Sequence, residues 1–284
     1  MRATTLLSLG WLAALPLGAQ QPYTGAEACA PCHEDHVRWV RGSVHENTAL
    51  PSAKGQAVHG CETCHGPGAK HVENPSLDTI ITFRREPAPV RSGQCLACHN
   101  TTSARLNFRR GDHHTAKVAC DDCHGASQAF HRMRGVRDVM ARAEPALCFG
   151  CHAEQRADFA LPSRHPVRDG IMQCSSCHDQ HGGFSLRQLR TRGTETVCSR
   201  CHEDKQGPFI FEHPAGRAGD CAACHRPHGS TNPKMLTRAQ VRFQCLECHA
   251  NTTARHDLSQ PRYQHCTVCH SRIHGSNLSR LLFE

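Results

Sequence analysis

The chain has 284 residues, of which 38% are hydrophobic, 5% aromatic and 20% charged, and its formal net charge is +8. Because 20 of the residues counted as hydrophobic are cysteines, the aliphatic and aromatic content falls well below the roughly 45–50% apolar fraction of an ordinary globular chain. This composition excludes a protein-only core of the size that a chain of this length normally buries.

The amino-terminal end is predicted to be a secretory signal peptide, residues 1–19. Met1 and Arg2 give a positively charged start, residues 6–17 form an apolar run, and cleavage is expected after Ala19. The run is too short for a membrane-spanning helix, although an amino-terminal anchor is the alternative. No later segment reaches 18 consecutive apolar residues. The mature chain, residues 20–284, is therefore predicted to be exported and not itself membrane-spanning.

All 20 cysteines belong to ten C-x-x-C-H motifs. In chain order the motifs are Cys29/Cys32/His33, Cys61/Cys64/His65, Cys95/Cys98/His99, Cys120/Cys123/His124, Cys148/Cys151/His152, Cys174/Cys177/His178, Cys198/Cys201/His202, Cys221/Cys224/His225, Cys245/Cys248/His249 and Cys266/Cys269/His270. This motif attaches c-type haem: the two thiols bond the porphyrin, and the adjacent histidine is the proximal iron ligand. Zinc sites or redox dithiols would explain the cysteines but not a histidine after every second one. The sequence predicts ten covalently bound haems, which replace aliphatic side chains as the core.

The motifs and the other 14 histidines repeat in a regular order. Each repeat contains a motif, a spare histidine, a second motif and another spare histidine, and five repeats are placed at about residues 20–85, 86–140, 141–190, 191–237 and 238–284. No run alternates in the manner of a half-buried strand. The predicted fold is therefore a multihaem cytochrome c, mostly irregular, with short α-helices, little or no β-sheet, and an elongated row of haems.

The spare histidines are the candidates for the sixth iron ligand, because the mature chain has only four methionines. The predicted distal ligands are His45, His71, His113, His114, His131, His165, His181, His213, His228, His256 and His274. Three choices stay open: His113 or His114, His45 or His59, and His256 or His265. His36, His59 and His265 are interpreted as non-ligands, and the iron that each distal histidine serves is also open, since a ligand can come from a neighbouring repeat. Ligation by two histidines implies low reduction potentials.

Arginine outnumbers lysine by 28 to 5. Planar guanidinium groups pair well with carboxylates, so the arginines suit the two propionates that each haem brings. Since those propionates also offset the positive charge, no nucleic-acid partner is predicted.

Five segments are distinctive around the motifs and spare histidines: residues 61–71 (CETCHGPGAKH), 162–167 (PSRHPV), 207–213 (GPFIFEH), 227–230 (PHGS) and 273–277 (IHGSN). They resemble the DmsE/MtrA-like periplasmic decahaem cytochromes. The resemblance implies two histidine ligands at every haem, a location in the periplasm at the outer membrane, and a β-barrel porin as partner. It also implies electron relay between periplasmic carriers and an extracellular cytochrome, reductase or mineral, with the direction of flow open.

The predicted function is therefore electron transfer and not catalysis. Two alternatives are a multihaem reductase with one open haem and an extracellular haem filament. All ten motifs end in histidine and spare histidines are in surplus, which disfavours an open haem.

Overall fold

A computed structural model describes residues 22–51, 57–101, 103–125, 131–132, 143–191, 196–217, 220–252 and 256–283. The predicted signal peptide lies outside these ranges. Within them, none of the helices combines the length and the apolar character needed to cross a bilayer.

Short helices separated by turns make up most of the regular structure in these ranges. The α-helices are α1 (Glu34–Val40), α2 (Glu62–His65), α3 (Ala69–Glu73), α4 (Ala88–Leu96), α5 (Ser103–Leu106), α6 (Asp112–Thr115), α7 (Cys120–Cys123), α8 (Ala153–Asp158), α9 (Pro214–Arg217), α10 (Val241–Leu246) and α11 (Cys266–Cys269). Single turns of 3-10 helix lie between them, among them Ala26–Cys29, Phe108–Arg110, Cys148–Gly150, Cys174–Ser176, Glu203–Lys205, Cys221–Ala223 and Pro261–Tyr263.

The described strands form two small antiparallel sheets. Strand β1 (Ala49–Pro51) pairs with β2 (Ala57–His59), with Leu50 opposite Val58. Strand β3 (Phe211–Glu212) pairs with β4 (Gly275–Ser276), with Phe211 opposite Ser276. The prediction of a mostly irregular chain with short helices and little sheet is confirmed.

Each C-x-x-C-H motif closes one helical turn. In all ten motifs the backbone N–H of the histidine donates to the carbonyl of the first cysteine, at 2.9–3.0 Å. Residues three apart lie on the same side of a helical turn, so this hydrogen bond brings both thiols to one side of the turn. The local fold of a motif therefore supports attachment of both thiols to one porphyrin.

Few apolar side chains are buried. In the described ranges the buried apolar residues are Val58, Ala88, Leu96, Phe108, Ala119, Phe159 and Val167. By contrast, Phe184 and Leu278 are 85% and 82% exposed. The protein's own side chains thus supply little of a hydrophobic core, as the composition predicts.

The described residues divide into two compact bodies. The first contains residues 22–86 together with His131 and Arg132, and the second contains the remainder from Pro87 onward. In the first body Glu62, which lies inside the second motif, is only 4% exposed. Its carboxylate accepts hydrogen bonds from the backbone N–H groups of Thr24, Gly25 and Gly68 at 2.8–3.0 Å. This carboxylate therefore joins the start of the body to the loop that follows the second motif.

In the second body an ion-pair cluster joins the third and fourth motifs. Arg91 of α4 has a side chain that is 15% exposed, and it forms ion pairs with Asp121 and Asp122 inside the fourth motif. The two guanidinium nitrogens lie 3.0 and 3.2 Å from the Asp122 carboxylate oxygens. Desolvation would raise the pKa of Asp122, but hydrogen bonds from Arg91 and from the Ala119 N–H hold that pKa below its ordinary value.

Removing the Arg91 guanidinium is expected to destabilise the protein. Arg91→Ala leaves the largely buried Asp121 without its cation, so the free energy of unfolding should fall by about 1–3 kcal/mol. Because the pKa of Asp122 is lowered in the folded state, the contribution is present at neutral pH and is lost as the pH falls through the lowered pKa. Chemical denaturation of the haem-loaded protein measures the change.

Arg38→Ala is the matched control. Arg38 pairs with Asp35 on an exposed helix surface, where the two side chains are 67% and 61% exposed, and such pairs contribute less than about 1 kcal/mol. Equal losses from the two substitutions would contradict a structural role for Arg91.

Candidate haem-binding sites

All twenty motif cysteines lie in the described ranges, and all of them are free thiols there, with no disulfide among them. The sequence gives the second cysteine of every motif the same role, but the structure exposes these residues to different degrees. Those of the first motif in each repeat are exposed: Cys32, Cys98, Cys151, Cys201 and Cys248. Those of the second motif are partly buried, except for an exposed one in the last repeat: Cys64, Cys123, Cys177, Cys224 and Cys269.

The difference in exposure between these second cysteines can be seen in Cys64, Cys32 and Cys151. Cys64 is the partly buried one of the first body, and its Sγ lies 3.7 Å from the hydroxyl oxygen of Thr63. Cys32 and Cys151 are exposed residues, so protein atoms alone do not cover them. A porphyrin bonded at these positions would cover them. Attachment of haem at Cys32, Cys64 and Cys151 stays a prediction from the motif, and the free thiols meet its chemical requirement.

Nine motif histidines face a histidine from outside the motifs. Their ring centroids are 5.7–6.4 Å apart, and the pairs are His33–His71, His65–His131, His124–His181, His152–His113, His178–His228, His202–His165, His225–His274, His249–His213 and His270–His256. The structure thus places candidate proximal ligands next to candidate distal ligands, whereas the sequence indicated only the number of each.

This spacing fits two imidazoles on opposite sides of one iron. A metal–imidazole bond is about 2.0 Å long, and the centre of a five-membered ring with bonds near 1.35 Å lies about 1.1 Å from its nitrogen. Two axial rings should therefore have centroids about 6.2 Å apart. The interplanar angles range from 4° to 75°, whereas the spacing varies by less than an ångström. Axial ligation constrains the distance and not the twist, so the donor set fits haem iron.

In several pairs a ring nitrogen, Nδ1, is hydrogen-bonded to the backbone. Nδ1 lies 2.6–3.1 Å from a carbonyl oxygen in His65, His71, His113, His165, His178, His225 and His270. A histidine that donates its Nδ1–H in this way keeps Nε2 free as a ligand and has a fixed ring orientation. This is the arrangement expected of axial ligands.

Burial also favours the ligating form of several distal candidates. Desolvation lowers the pKa of His181, His213, His228 and His274 below the ordinary imidazole value. Since only the neutral imidazole binds a metal, burial keeps these side chains ready to bind iron at neutral pH.

Two carbonyls that accept from motif histidines lie in unusual turns. Arg187 and Lys234 have φ values of 59° and 57°, a left-handed conformation uncommon outside glycine. The Arg187 carbonyl accepts from His178 at 2.9 Å and the Lys234 carbonyl accepts from His225 at 2.8 Å. Sequence reasoning missed these residues. The available signal was a basic residue nine positions after the motif histidine in both repeats.

Most facing pairs join different repeats. His65, His124, His178 and His225, from the second motif of a repeat, face a histidine of the next repeat. His152, His202 and His249, from the first motif of a repeat, face a histidine of the preceding repeat. The pairs His33–His71 and His270–His256 stay within the first and last repeats. Successive repeats therefore exchange their spare histidines.

Within repeats, the first cysteines of the two motifs lie side by side. Cys120 shares a hydrogen bond with Cys95, which is the main reason that the pKa of the Cys120 thiol falls to about 7. The same contact joins Cys148 to Cys174 and Cys198 to Cys221. In the first repeat the pKa of Cys29 is raised to about 11, mainly by burial and next by the neighbouring Cys61. In the last repeat the pKa of Cys245 is raised to about 11, mainly by burial and next by the neighbouring Cys266. The first cysteines of the two motifs in each repeat, which are predicted attachment points, are therefore adjacent.

Between repeats of the second body, second cysteines approach the next motif. Burial, followed by the nearby Cys148, raises the pKa of the Cys123 thiol. The pKa of the Cys177 thiol is raised by burial and then by the nearby Cys201. The pKa of the Cys224 thiol is raised by burial and then by the nearby Cys248. The cysteines of the third to tenth motifs, the predicted attachment points, are thus neighbours in chain order.

In the described ranges, one cluster of side chains that could bind a metal ion consists of a glutamate and two motif cysteines. Ligand atoms of Glu144, Cys148 and Cys174 lie within 4.8 Å of one another. A Glu144 carboxylate oxygen also accepts from the backbone N–H of Ser175 at 3.0 Å. Both cysteines begin C-x-x-C-H motifs, so the cluster lies where two predicted haem attachment points meet.

The structure separates some histidines that the sequence left as alternatives. His113 faces His152, whereas His114 packs edge-on against Phe108 at 5.5 Å. His256 faces His270, whereas His265 lies immediately before α11. His45 is half-buried, and His59 is exposed at the end of β2.

Two further histidines have other ring or hydrogen-bond neighbours. His36, interpreted as a non-ligand, lies edge-on to both His33 and His131 at 5.7 and 5.2 Å. Nδ1 of His99, the remaining motif histidine, lies 3.2 Å from an Arg105 guanidinium nitrogen.

Family models match two parts of the chain. The model "Doubled CXXCH motif" matches residues 165–207 and 213–254. The model "Cytochrome c-type protein NrfB-like" matches residues 61–151. Together with the motif geometry, these matches establish covalently bound haem c in this chain.

Three characterised cytochromes are similar in sequence. Multiheme cytochrome MtrA of Shewanella baltica (strain OS185) is 32% identical over 198 residues, covering 66% of this chain and 56% of MtrA. Cytochrome c-type protein NrfB of Escherichia coli O6:H1 is 28% identical, covering 44% of this chain and 71% of NrfB. C-type polyheme cytochrome OmcC of Geobacter sulfurreducens is 27% identical, covering 59% of this chain and 22% of OmcC. The matched part of the chain thus spans little more than half of MtrA.

Proposed function

We propose that this chain, an MtrA-like multihaem c-type cytochrome, relays electrons through ten haems that each have two histidine ligands. The observation that carries the proposal is the set of nine facing histidine pairs at 5.7–6.4 Å. An iron with both axial positions filled by the protein has no position for a substrate. This disfavours a reductase.

The chain's own residues supply attachment, ligation and spacing. Bound haem iron gains and loses one electron, at a low potential when both ligands are imidazoles. The cysteine pairs hold successive attachment points next to one another, and the facing histidines exclude other ligands. Backbone carbonyls at Nδ1 orient the rings and raise their donor strength. Every feature favours rapid electron exchange between neighbours over chemistry at any one site.

The location and partners belong to the same proposal. We propose that the exported protein acts in the periplasm at the outer membrane, with a β-barrel porin and other redox cytochromes as partners. The resemblance in residues 61–71 and 207–213 and the similarity to MtrA support this. Co-purification of a porin with the detergent-extracted protein is the expected result, and recovery only as secreted polymers would favour the filament alternative.

The haem proposal is tested on the purified protein by haem quantification, electron paramagnetic resonance and carbon monoxide. The expected result is ten haems per chain, low-spin ferric signals only, and no spectral change when carbon monoxide is added to the reduced protein. A colourless protein, or a high-spin ferric signal with carbon monoxide binding, would contradict the proposal.

Replacing one histidine of α6 is expected to open one haem, and replacing its neighbour is not. His113→Ala removes the ring that faces His152, so one high-spin haem should appear and bind carbon monoxide. His114→Ala removes a ring that packs on Phe108 and should leave all haems low-spin. The reverse result would assign the ligand role to His114.

A further inference from the structure

Two distal candidates donate to the backbone immediately before another distal candidate. His165, which faces His202, has Nδ1 2.7 Å from the Pro227 carbonyl oxygen. The next residue, His228, faces His178. The ligand candidates of the sixth and seventh motifs are therefore joined by one hydrogen bond and one residue of backbone.

The same arrangement recurs one repeat earlier. His113, which faces His152, has Nδ1 3.1 Å from the Gln180 carbonyl oxygen. The next residue, His181, faces His124. Here the ligand candidates of the fourth and fifth motifs are joined. In both cases the joined sites belong to consecutive repeats.

The segment that carries His228 is held closely against the preceding repeat. Ser230 and Ser163 exchange backbone hydrogen bonds of 2.8 and 3.1 Å, and the His228 ring lies 5.2 Å from the Phe159 ring. A Cβ atom on Gly229 would lie 2.0 Å from the Asp158 carbonyl oxygen, so only glycine permits this approach. Gly182, after His181, is equally constrained, because its Cβ would lie 2.6 Å from the Asn107 carbonyl oxygen.

We propose that the segment Pro227–Ser230, and likewise Gln180–Gly182, is a positioning element shared by two haems. It presents one distal ligand directly, and through a backbone carbonyl it orients the distal ligand of the next haem. The inference rests on the proposed two-histidine ligation. A carbonyl acceptor at Nδ1 raises the donor strength of the imidazole, so loss of this bond should raise the potential of the haem that the donor ligates.

The test compares His165→Ala with His256→Ala in the haem-loaded protein. Each substitution removes one ring that faces a motif histidine, so each should create one haem that binds carbon monoxide. His165→Ala also takes the donor from the Pro227 carbonyl. The segment that presents His228 then loses one of its contacts, so the haem of His178 and His228, still low-spin, should show a shifted paramagnetic resonance signal and a shifted midpoint potential. His256→Ala should leave the other nine haems unchanged.

A second comparison displaces the segment itself. Gly229→Ala should alter two haems, those of His178 and His202, because Asp158 leaves no room for the methyl group. The control is Gly93→Ala in α4, where an added Cβ meets nothing within 4 Å, and it should alter none. If Gly229→Ala yields no haem-loaded protein, the comparison of His165→Ala with His256→Ala tests the inference by itself.

The outcomes are separable. The inference is overturned if His165→Ala leaves the nine other haems unchanged, or if Gly229→Ala alters only one haem. Failure of the two-histidine proposal would show differently, since His165→Ala and His256→Ala would then create no new carbon monoxide site.

Discussion

Replacing Cys174 and Cys177 by alanine is expected to divide electron flow in the second body into two isolated parts. The sixth motif lies between its neighbours: Cys174 contacts Cys148 of the fifth motif, and Cys177 approaches Cys201 of the seventh. These two contacts lead from the fifth motif to the seventh through the sixth. Without its haem, electrons that enter at the tenth motif should reach only four haems, those of the seventh to tenth motifs.

The matched control removes a haem at the end of this row. The third motif contacts the row through Cys95, which lies against Cys120. Replacing Cys95 and Cys98 by alanine should therefore leave seven haems, the fourth to tenth, in rapid exchange. Both variants keep nine motifs. The difference therefore reports the position of the missing haem and not the number of haems.

The measurement uses protein attached to an electrode by its carboxyl-terminal end at low surface density, so that molecules do not exchange electrons with each other. The charge transferred in the fast phase counts the connected haems. Four in one variant and at least seven in the other are expected. Equal fast-phase charges would show that electrons do not follow the order of the motifs along the chain.

The attachment sites could be predicted from sequence because their chemistry is local. A thioether pair and its proximal ligand lie within five consecutive residues, and one helical turn holds them, as in Cys61 to His65. The scarcity of buried apolar side chains likewise follows from composition. Neither inference needs knowledge of which segments meet in space.

The candidate distal ligands could be counted from sequence, but the motif histidine that each one faces could not be predicted. His228 follows His225 by three residues, yet it faces His178, fifty residues earlier. Such pairings depend on close approach between repeats, which requires Gly229 beside Asp158. Sequence separation carries no information about this exchange.

The choice between His113 and His114 also needed the structure. The two residues are adjacent on α6, and adjacent residues of a helix point in different directions. The Gln180 carbonyl, 67 residues away, accepts from His113 and thereby directs that ring toward His152. Nothing in the local sequence distinguishes the two histidines.

Without haem, the chain is expected not to fold. Folding requires buried apolar surface to offset the conformational entropy of ordering the backbone, and in the described ranges seven apolar residues are buried, two of them alanines. The longest described helix, α4, has nine residues, and isolated helices shorter than about 12–15 residues are marginal in water. Direct contacts between the described parts of the repeats include a few hydrogen bonds, such as those between Ser163 and Ser230 and between the His124 and His181 rings. The facing histidines bind strongly to a common centre only when iron lies between them. Attachment and folding should therefore be a single process, as in proteins that fold only around a metal.

The experiment produces residues 20–284 in a compartment that has no haem attachment and compares them with the haem-loaded protein. The haem-free chain should show a far-ultraviolet circular dichroism spectrum typical of an unfolded chain, no cooperative thermal transition, and proteolysis throughout its length. The loaded protein should resist the same protease. A cooperative transition in the haem-free chain would mean that side-chain packing alone specifies the fold, and the exchanged histidines would then be held in place before iron arrives. Because Gly229 and Ser230 make direct contacts with the preceding repeat, that outcome would assign the assembly of the repeats to these backbone contacts instead of to the haems.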